Sequence, residues 1–328
     1  MRLKKLGNTD FRITPLGFGT WALGGGSGGY GWGPQDDADS IAAIVQGVEK
    51  GINWVDTAAI YGLGHSEQVV AKALKKLGRS RRPYVFTKCG LIWDAKGNSS
   101  HSLKRASILR ECDNSLRRLE IEVIDLYQIH WPAFPPGAPA PEIEEGWQAL
   151  LDLQAQGKIR YPGISNFNVP QMERIRPLGA ISSLQPPYSL LMPEIESDIL
   201  PYCTRHNIGV IVYSPMHSGL LSGAFSHERL VRMAPNDWRR NSPAFKEPAF
   251  SQAMELVEVL RRIGQRHGRS AGEVAIAWTL RDPAVTGAIV GGRTPQQVDG
   301  FIGALDFRLS KEELAEIEAA QPAPVPLL

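Results

Sequence analysis

The chain has 328 residues, of which 43% are hydrophobic and 21% are charged, so it can bury a large core without metal or disulfides. The chain has 36 lysine and arginine residues and 34 aspartate and glutamate residues. This small excess of positive charge does not indicate nucleic-acid binding. Cys89, Cys112 and Cys203 lack metal-ligand spacing and predict reduced, buried thiols. The N-terminus has no signal-peptide apolar region, and no apolar run reaches ~18 residues. We therefore expect a cytoplasmic protein with no membrane or nucleic-acid partner.

A short hairpin is predicted at the N-terminus, with strands at residues 2–6 and 11–14 around the turn-forming Gly7-Asn8-Thr9-Asp10. A first strand at 16–20 follows, and then a helix over 40–50, in which apolar residues recur on one face until Gly51.

Strand-like apolar runs continue along the rest of the chain, most of them separated by helix-length amphipathic segments. With the first strand at 16–20, they lie at 52–55, 84–87, 124–129, 159–164, 181–184, 210–213 and 288–290. Eight such units predict a closed parallel (β/α)₈ barrel, a TIM barrel, and we expect residues 1–328 to form this one domain.

Two long loops are predicted at the C-terminal face of the barrel. The segment 214–250, rich in proline, serine and arginine, exceeds an ordinary loop and should fold over the mouth. The glycine-rich run 24–33 resembles a phosphate loop superficially, but it has no strand-GxGxxG-helix register with a following acidic residue. We interpret it as a mobile loop at the active-site rim and not as a Rossmann fingerprint.

Polar residues follow three successive predicted strands at the ends where barrel active sites lie. Asp56 ends the second strand and Tyr61 lies in its loop, whereas Lys88 ends the third strand and His130 the fourth. These side chains suit a reaction in which a hydride adds to a carbonyl carbon and a proton reaches the developing alkoxide. Such a reaction needs no metal and no protein nucleophile.

Each of the four residues has a distinct expected role. Tyr61 supplies the proton, and the nearby Lys88 ammonium is expected to lower the pKa of its phenol from about 10. Asp56 holds the lysine, and His130 donates a second hydrogen bond to the carbonyl oxygen. Taken singly, Asp56 could cap its loop, Tyr61 could pack at the rim, and Lys88 and His130 could serve only structure; their joint placement on consecutive strand ends favours a site.

Several segments of the chain resemble motifs of one known family and occur in the same order as in that family. Asp56-Thr57-Ala58-Ala59-Ile60-Tyr61-Gly62 with Ser66-Glu67 resembles the signature of the aldo-keto reductase superfamily. The segments 17–21 (GFGTW), 163–167 (GISNF) and 213–215 (YSP) resemble other motifs of that family, so the resemblance covers nearly the whole chain. It implies that Asp56, Tyr61, Lys88 and His130 are catalytic.

The resemblance also implies a nicotinamide cofactor. Ser165, Asn166 and Gln185 would hydrogen-bond the carboxamide and Tyr213 would stack on the ring, although Gln185 could also be a buried turn residue before Pro186. Segment 214–223 would follow the pyrophosphate. The full set of expected cofactor residues is Thr20, Trp21, Asp56, Ser165, Asn166, Gln185, Tyr213, Ser214, Pro215, Met216, Gly219, Leu220, Ser222, Gly223, Gly291, Gly292, Arg293 and Gln297.

The expected preference for NADPH over NADH rests on Arg293. This residue precedes a predicted helix whose N-terminal amides could bind the adenosine phosphate, and its guanidinium favours NADPH over NADH. Many relatives carry Glu-Asn one turn after the position of Gln297 to bind adenine, whereas this chain has Gly300-Phe301. Phe301 could offer a stacking face or pack into the core.

The substrate is expected to be a small-molecule aldehyde or ketone, with an apolar or ring portion facing aromatic residues at the mouth. The expected pocket residues are Trp21, Tyr61, Trp93, His130 and Trp131, and Trp32 occupies a further rim position. Two rival functions keep the same fold. One is a non-catalytic nucleotide sensor, and the other is a Schiff-base aldolase that uses Lys88 as nucleophile.

Overall fold

The computed structural model describes residues 3–25, 31–140, 142–235 and 237–326. Eight parallel strands of this part close into a barrel, so the predicted (β/α)₈ fold is confirmed. In chain order the strands are β1 Lys4–Lys5, β2 Arg12–Ile13, β3 Leu16–Gly19, β4 Trp54–Asp56, β5 Tyr84–Cys89, β6 Leu91–Trp93, β7 Ser99–His101, β8 Ile124–Ile129, β9 Ile159–Ser165, β10 Ser183–Gln185, β11 Gly209–Tyr213 and β12 Val285–Gly291. The pairs β1–β2 and β6–β7 are antiparallel hairpins outside the barrel.

The barrel strands lie where the apolar runs predict them, but several ends differ. Strand β12 starts at Val285, three residues earlier than expected, because its pairing with β11 already begins at Val285 and continues at Gly287, whereas its pairing with β3 begins only at Ala288. Strand β4 starts at Trp54 and includes Asp56, whose backbone pairs with Gly19 and Phe86. Periodicity in the sequence does not show this pairing, so it misplaces strand ends.

Helices surround the barrel and cover the outward side chains of its strands. They are α1 Asp37–Glu49, α2 His65–Leu77, α3 Arg105–Leu119, α4 Ile143–Ala155, α5 Val169–Ile175, α6 Ile199–Arg205, α7 His227–Val231, α8 Ala249–His267, α9 Ala271–Thr279, α10 Pro295–Asp299 and α11 Lys311–Ala320. Helix α1 begins earlier than predicted because Asp36 accepts hydrogen bonds from the amides of Ala38 and Asp39. Within the described ranges, no helix is long and apolar enough to span a membrane.

The N-terminal hairpin closes the lower end of the barrel. Leu6 and Phe11 are fully buried and form one apolar cluster with Trp54, Phe86 and barrel residues of other strands. The Trp54 indole also donates a hydrogen bond to the carbonyl oxygen of Thr14, over 3.0 Å. With this end sealed, the C-terminal strand ends are the open face of the barrel.

The long segment after β11 reaches across this open face, as predicted. Trp238, in a short 3₁₀ turn, donates its backbone N–H to the carbonyl oxygen of Gly31 over 3.4 Å. The segment therefore contacts the end of the glycine-rich run on the opposite side of the mouth. The expectation that this run is a mobile rim loop falls largely on residues 26–30, which lie outside the described residues.

The loop that carries Tyr61 is packed closely against the β3 loop. Gly62 has a left-handed φ of 61°, and a Cβ at this position would lie 2.1 Å from the carbonyl oxygen of Gly24. On the other side of Tyr61, the Ser66 hydroxyl donates to Thr20 and lies 3.1 Å from the Thr57 hydroxyl. The backbone on both sides of Tyr61 is thereby held against neighbouring strands.

We expect Gly62→Ala to lower the free energy of unfolding by more than the ~1 kcal/mol that positive φ alone explains, because the added methyl group also meets the Gly24 carbonyl. Gly268→Ala is the matched control, since Gly268 has a left-handed φ of 64° and open space around its Cβ position. Urea denaturation of both variants measures the difference. Equal losses would show that the contact with Gly24 contributes nothing.

Candidate active site

A buried ion pair lies at the upper end of the barrel between two adjacent strands. Lys88 Nζ is 2.6 Å from Asp56 Oδ2, and the side chains are 0% and 3% exposed. The ammonium also donates to the carbonyl oxygen of Thr57 over 2.9 Å. Asp56 pairs with Phe86 across β4 and β5, which places the two side chains at neighbouring strand ends.

Tyr61 and His130 complete the group of four that the sequence predicts. Lys88 Nζ is 3.3 Å from the Tyr61 hydroxyl oxygen, within hydrogen-bond distance. The His130 ring meets the Tyr61 ring edge to face, with centroids 5.7 Å apart. The structure therefore brings Asp56, Tyr61, Lys88 and His130 together.

The expected direction of the Tyr61 pKa is wrong. Burial raises the pKa of the phenol well above its ordinary value, and the charge of Asp56 raises it further. Burial also lowers the pKa of Lys88, against the opposing effect of Asp56. The expected lowering of this pKa considers only the charge of Lys88. In the structure, desolvation penalises the phenolate, and the charge of Lys88 is already paired with that of Asp56. Tyr61 is consequently a phenol over the whole ordinary pH range.

His130 is held as a neutral imidazole. Burial lowers its pKa well below the ordinary value, and the Lys88 charge lowers it further. A neutral imidazole can donate one hydrogen bond and carries no charge of its own. The backbone carbonyl of His130 accepts a 2.9 Å hydrogen bond from Asn166 Nδ2, which ties the β8 end to the β9 end.

The four residues expected at the nicotinamide form a connected group beside Asp56. Gln185 ends β10 and is no turn residue; its Nε2 donates to Asp56 Oδ1 over 2.8 Å. Ser165 Oγ donates to the carbonyl oxygen of Gln185, and the Tyr213 hydroxyl donates to Asn166 Oδ1 over 2.9 Å. Burial raises the pKa of Tyr213 well above its ordinary value, so this residue also stays a phenol.

Segment 214–223 has unusual backbone geometry. Ser214, His217, Ser218, Gly219 and Gly223 all have positive φ, so the chain curls repeatedly. Such curls turn successive amides toward one side and form anion-binding concavities. Among its side chains, Pro215 and Leu220 are buried, Met216 packs against Gly272, and Ser222 donates to the Gly219 carbonyl, and their expected cofactor contacts stay predictions.

Arg293 stands where predicted, just before the Thr294 cap of α10, but its donors already have partners. Its guanidinium donates to Gln35 Oε1 over 2.5 Å, to the carbonyl oxygen of Trp32 over 3.1 Å and to that of Pro34. The Gln297 side chain accepts from the Arg293 amide. Gly291 and Gly292 precede it, and a Cβ on Gly291 would lie 3.1 Å from the Gly19 carbonyl oxygen.

Phe301 packs into the hydrophobic core and is 3% exposed. Its alternative as a stacking face for adenine is therefore not favoured by the structure. The core position follows from the 3₁₀ turn after α10, which directs the chain back onto α9.

The expected substrate-pocket aromatics divide into two groups. The Trp21 ring stacks with the Tyr61 ring, with centroids 6.3 Å apart, and with the Trp238 ring, with centroids 5.2 Å apart. Trp32 contacts the indole rings of Trp21 and Trp238 edge to face. Trp93 instead lies on the β6–β7 hairpin against the Arg118 guanidinium, and Trp131 lies near Phe134. The predictions for Trp93 and Trp131 as substrate contacts stay predictions.

Two residues near the site were missed by the sequence reasoning. Trp238 lies within the long loop, where no periodicity places it, and only its aromatic character was a signal. Gln128 was visible as a polar residue inside the apolar run of β8, at the register position beside Lys88. The three cysteines are confirmed as free and buried.

Comparison with known proteins agrees with this geometry. The aldo/keto reductase family model matches residues 15–322, so the chain belongs to that family. It is 34% identical to the aldo-keto reductase YhdN of Bacillus subtilis, over 97% of this chain and 92% of that protein. It is 33% identical to the NADH-specific methylglyoxal reductase of Escherichia coli, over 94% and 95%.

Among solved structures, the glycerol dehydrogenase AKR11B4 from Gluconobacter oxydans superposes with a TM-score of 0.85 at 34% identity, over 97% of this chain and 94% of that chain. The protein is therefore an oxidoreductase of a family that reduces small carbonyl compounds with a nicotinamide cofactor.

The pKa directions predict a simple pH dependence for carbonyl reduction. Tyr61 stays protonated because its pKa is raised, and His130 stays neutral because its pKa lies below 6.5. We expect kcat/KM at about pH 6 and about pH 8 to agree within about twofold, since neither group titrates between them. A steady-state pH profile measures this. An inflection near pH 6.5 that disappears in His130→Ala would contradict the neutral-histidine assignment.

Proposed function

We propose that the protein is an NADPH-preferring carbonyl reductase in which Tyr61 protonates the oxygen of an aldehyde or ketone. The observation that carries this proposal is the buried chain from Asp56 through Lys88 to the Tyr61 hydroxyl, with His130 against the Tyr61 ring. The four side chains come from the ends of three neighbouring barrel strands, β4, β5 and β8, and from the loop that follows β4.

The reduced nicotinamide, when bound, supplies the hydride that forms the new C–H bond. Tyr61 donates a hydrogen bond to the carbonyl oxygen and transfers its proton as negative charge develops there. The Lys88 ammonium, 3.3 Å away, stabilises the phenolate that remains, and Asp56 keeps that ammonium in place. Neutral His130 polarises the carbonyl by donating a second hydrogen bond. The alcohol leaves, and a proton from solvent restores Tyr61.

The raised pKa of Tyr61 fits the direction of reduction. A phenol that is never ionised at ordinary pH is always ready to donate. Proton transfer becomes favourable as negative charge develops on the substrate oxygen, because that oxygen then becomes a stronger base than the phenolate of Tyr61. General-acid catalysis of this kind typically contributes about 10²- to 10⁴-fold to the rate.

The residues around Gln185 fit a carboxamide. Both Nε2 hydrogens of Gln185 point inward, to Asp56 Oδ1 and to Gln128 Oε1, so the oxygen of this amide is left as an acceptor. Asn166 and Ser165 lie beside it, and the Tyr213 ring offers an aromatic face. We propose that these four residues hold the nicotinamide, with Tyr213 stacked on it and Thr20, Trp21 and Asp56 at its edge.

The two rival functions are less well supported. A Schiff-base aldolase needs a free lysine amine, but Lys88 is an ammonium held by Asp56, the Thr57 carbonyl and Tyr61. A nucleotide sensor needs no proton donor beside its cofactor, whereas this chain has one in a complete buried relay. Borohydride trapping tests the first rival, and turnover tests the second.

We further propose that the substrate is a small carbonyl compound that fits beside Trp21, that the whole chain forms one domain, and that it acts in the cytoplasm. The stacked Trp21 and Trp238 indoles favour an apolar or ring portion on the substrate. Two relatives are named for small oxygenated molecules, methylglyoxal and glycerol, and this supports a compact pocket.

We expect Tyr61→Phe to remove most aldehyde reduction, by roughly 10²-fold or more in kcat, while the dissociation constant of the cofactor changes little. The ring keeps its packing and only the proton donor is lost. Tyr84→Phe is a suitable control because Tyr84 starts β5, at the end opposite Lys88. The assay follows NADPH absorbance with a panel of aldehydes. Turnover by Tyr61→Phe equal to that of the wild type would exclude Tyr61 as the acid.

The NADPH preference is supported by a cavity of about 370 Å³ beside Arg293. Its wall includes four arginines, Arg229, Arg232, Arg239 and Arg293, against two carboxylates, Glu228 and Asp237. Burial and the charge of Arg239 lower the pKa of Arg293, so the cationic guanidinium gains from an added anion. The 2′-phosphate of NADPH would replace the carbonyl oxygens of Trp32 and Pro34 as the acceptor of hydrogen bonds from the Arg293 guanidinium. The Escherichia coli relative is NADH-specific, so the preference needs a direct test.

Arg293→Ala is expected to raise the dissociation constant of NADPH by roughly ten- to hundredfold and to change that of NADH little. Charge-assisted hydrogen bonds are worth about 1.5 to 3 kcal/mol, and only NADPH carries the 2′-phosphate. Arg232→Ala is the control for general charge, because Arg232 is exposed and paired with Glu228 in the same wall. Fluorescence titration with both cofactors measures the effect. Equal losses for the two would assign Arg293 to the fold.

A further inference from the structure

Gln128 is a polar side chain inside the barrel that the proposed chemistry does not use. It is fully buried on β8, and its register partners are Lys88 on β5 and Gly163 on β9. Its Oε1 accepts a 3.3 Å hydrogen bond from Gln185 Nε2. The residue therefore lies beside Lys88 and in contact with Gln185, at the edge of the group that surrounds Asp56.

This contact completes the orientation of the Gln185 amide. One hydrogen of Nε2 points to Asp56 Oδ1, and the other points to Gln128 Oε1. If the amide turned over, its oxygen would face two acceptor oxygens, one of them on a carboxylate. With Gln128 Oε1 facing Gln185, the two contacts favour the arrangement in which Gln185 Oε1 points away from both acceptors.

Gln128 contributes little to stability by its contacts. Its Nε2 has no hydrogen-bond partner among the described residues, and its single hydrogen bond is long. A buried donor without a partner is unfavourable, and an apolar residue of similar size would remove that penalty. The barrel also makes room for it, since a Cβ on Gly163 would lie 3.0 Å from Gln128 Cγ and 2.5 Å from Ser183 Oγ.

We propose that Gln128 is a positioning residue that holds the Gln185 amide with its oxygen toward the nicotinamide carboxamide. The inference rests on the proposed function, because it takes Gln185 as a carboxamide contact. In this arrangement Gln185 Oε1 accepts from the carboxamide NH₂, while its Nε2 stays on Asp56. Gln128 thus acts on cofactor recognition through Gln185 without touching the cofactor.

The test compares two oxidised cofactors that differ in this one donor. NADP⁺ carries a carboxamide, and its 3-acetylpyridine analogue carries a methyl ketone that has no N–H. We expect the wild type to bind NADP⁺ more tightly than the analogue by roughly two- to tenfold, as one neutral hydrogen bond provides. Gln128→Leu should lower this ratio, since only the contact with Asp56 still orients the Gln185 amide, and its melting temperature should equal or exceed that of the wild type.

Ser183→Ala is the matched control, since Ser183 Oγ is equally buried, faces the same gap at Gly163 and has no partner in the described chain. It should keep the wild-type ratio. If Gln128→Leu fails to fold, Gln128→Met carries the same test with an unbranched side chain. The ratio is measured by fluorescence titration and needs no turnover.

Two results would overturn the proposal: an unchanged ratio in the folded Gln128 variant, or a wild type that binds both cofactors equally. A lower melting temperature with an unchanged ratio would make Gln128 purely structural and count against it as well. If the ratio behaves as expected but no carbonyl compound is reduced, the positioning role stands and the proposed reductase activity fails.

Discussion

The ion pair between Lys88 and Asp56 is the constraint around which the upper end of the barrel is arranged. Two charges taken out of water are tolerated only when each has further partners, and breaking such a pair typically costs about 3 to 5 kcal/mol. Here the further partners are the Thr57 carbonyl, the Tyr61 hydroxyl and the Gln185 amide. Because these partners come from β4, its loop and β10, satisfying one buried charge fixes the relative position of elements far apart in the sequence.

The same pair explains why the site can keep a phenol and an imidazole neutral. Without Asp56, the charge of Lys88 would favour the ionised form of Tyr61. Without Lys88, the charge of Asp56 would strongly disfavour that phenolate. With both present, burial is the leading influence on the pKa values of Tyr61 and His130, and the charges of Asp56 and Lys88 act in the same direction as burial. In the proposed mechanism these two neutral groups donate hydrogen bonds to the oxygen on which negative charge develops.

The sequence predicts the parts of this molecule that depend on local pattern and barrel symmetry. Asp56, Lys88 and His130 could be placed because polar residues that end apolar strands of a parallel barrel meet at one face. The partners of Arg293 could not be predicted, since the Trp32 and Pro34 carbonyls lie about 260 residues earlier and belong to a loop without periodicity. The direction of the Tyr61 pKa was missed for another reason: desolvation depends on the covering Trp21 and neighbouring chain, which composition does not reveal.

The hairpin that seals the lower end also bears on how the chain reaches this fold. Its turn holds the second half of the molecule: the Asn8 amide donates to the Ile181 carbonyl, and the Gly7 backbone lies against Gly209. These contacts join residues separated by more than 170 positions, so during synthesis the hairpin waits for strands that are made much later. Contacts between residues so far apart in the sequence slow folding, and the apolar side chains of Leu6 and Phe11 stay exposed until those contacts form. Barrel closure at this end is therefore a late event in synthesis and the stage at which the nascent chain is most open to aggregation.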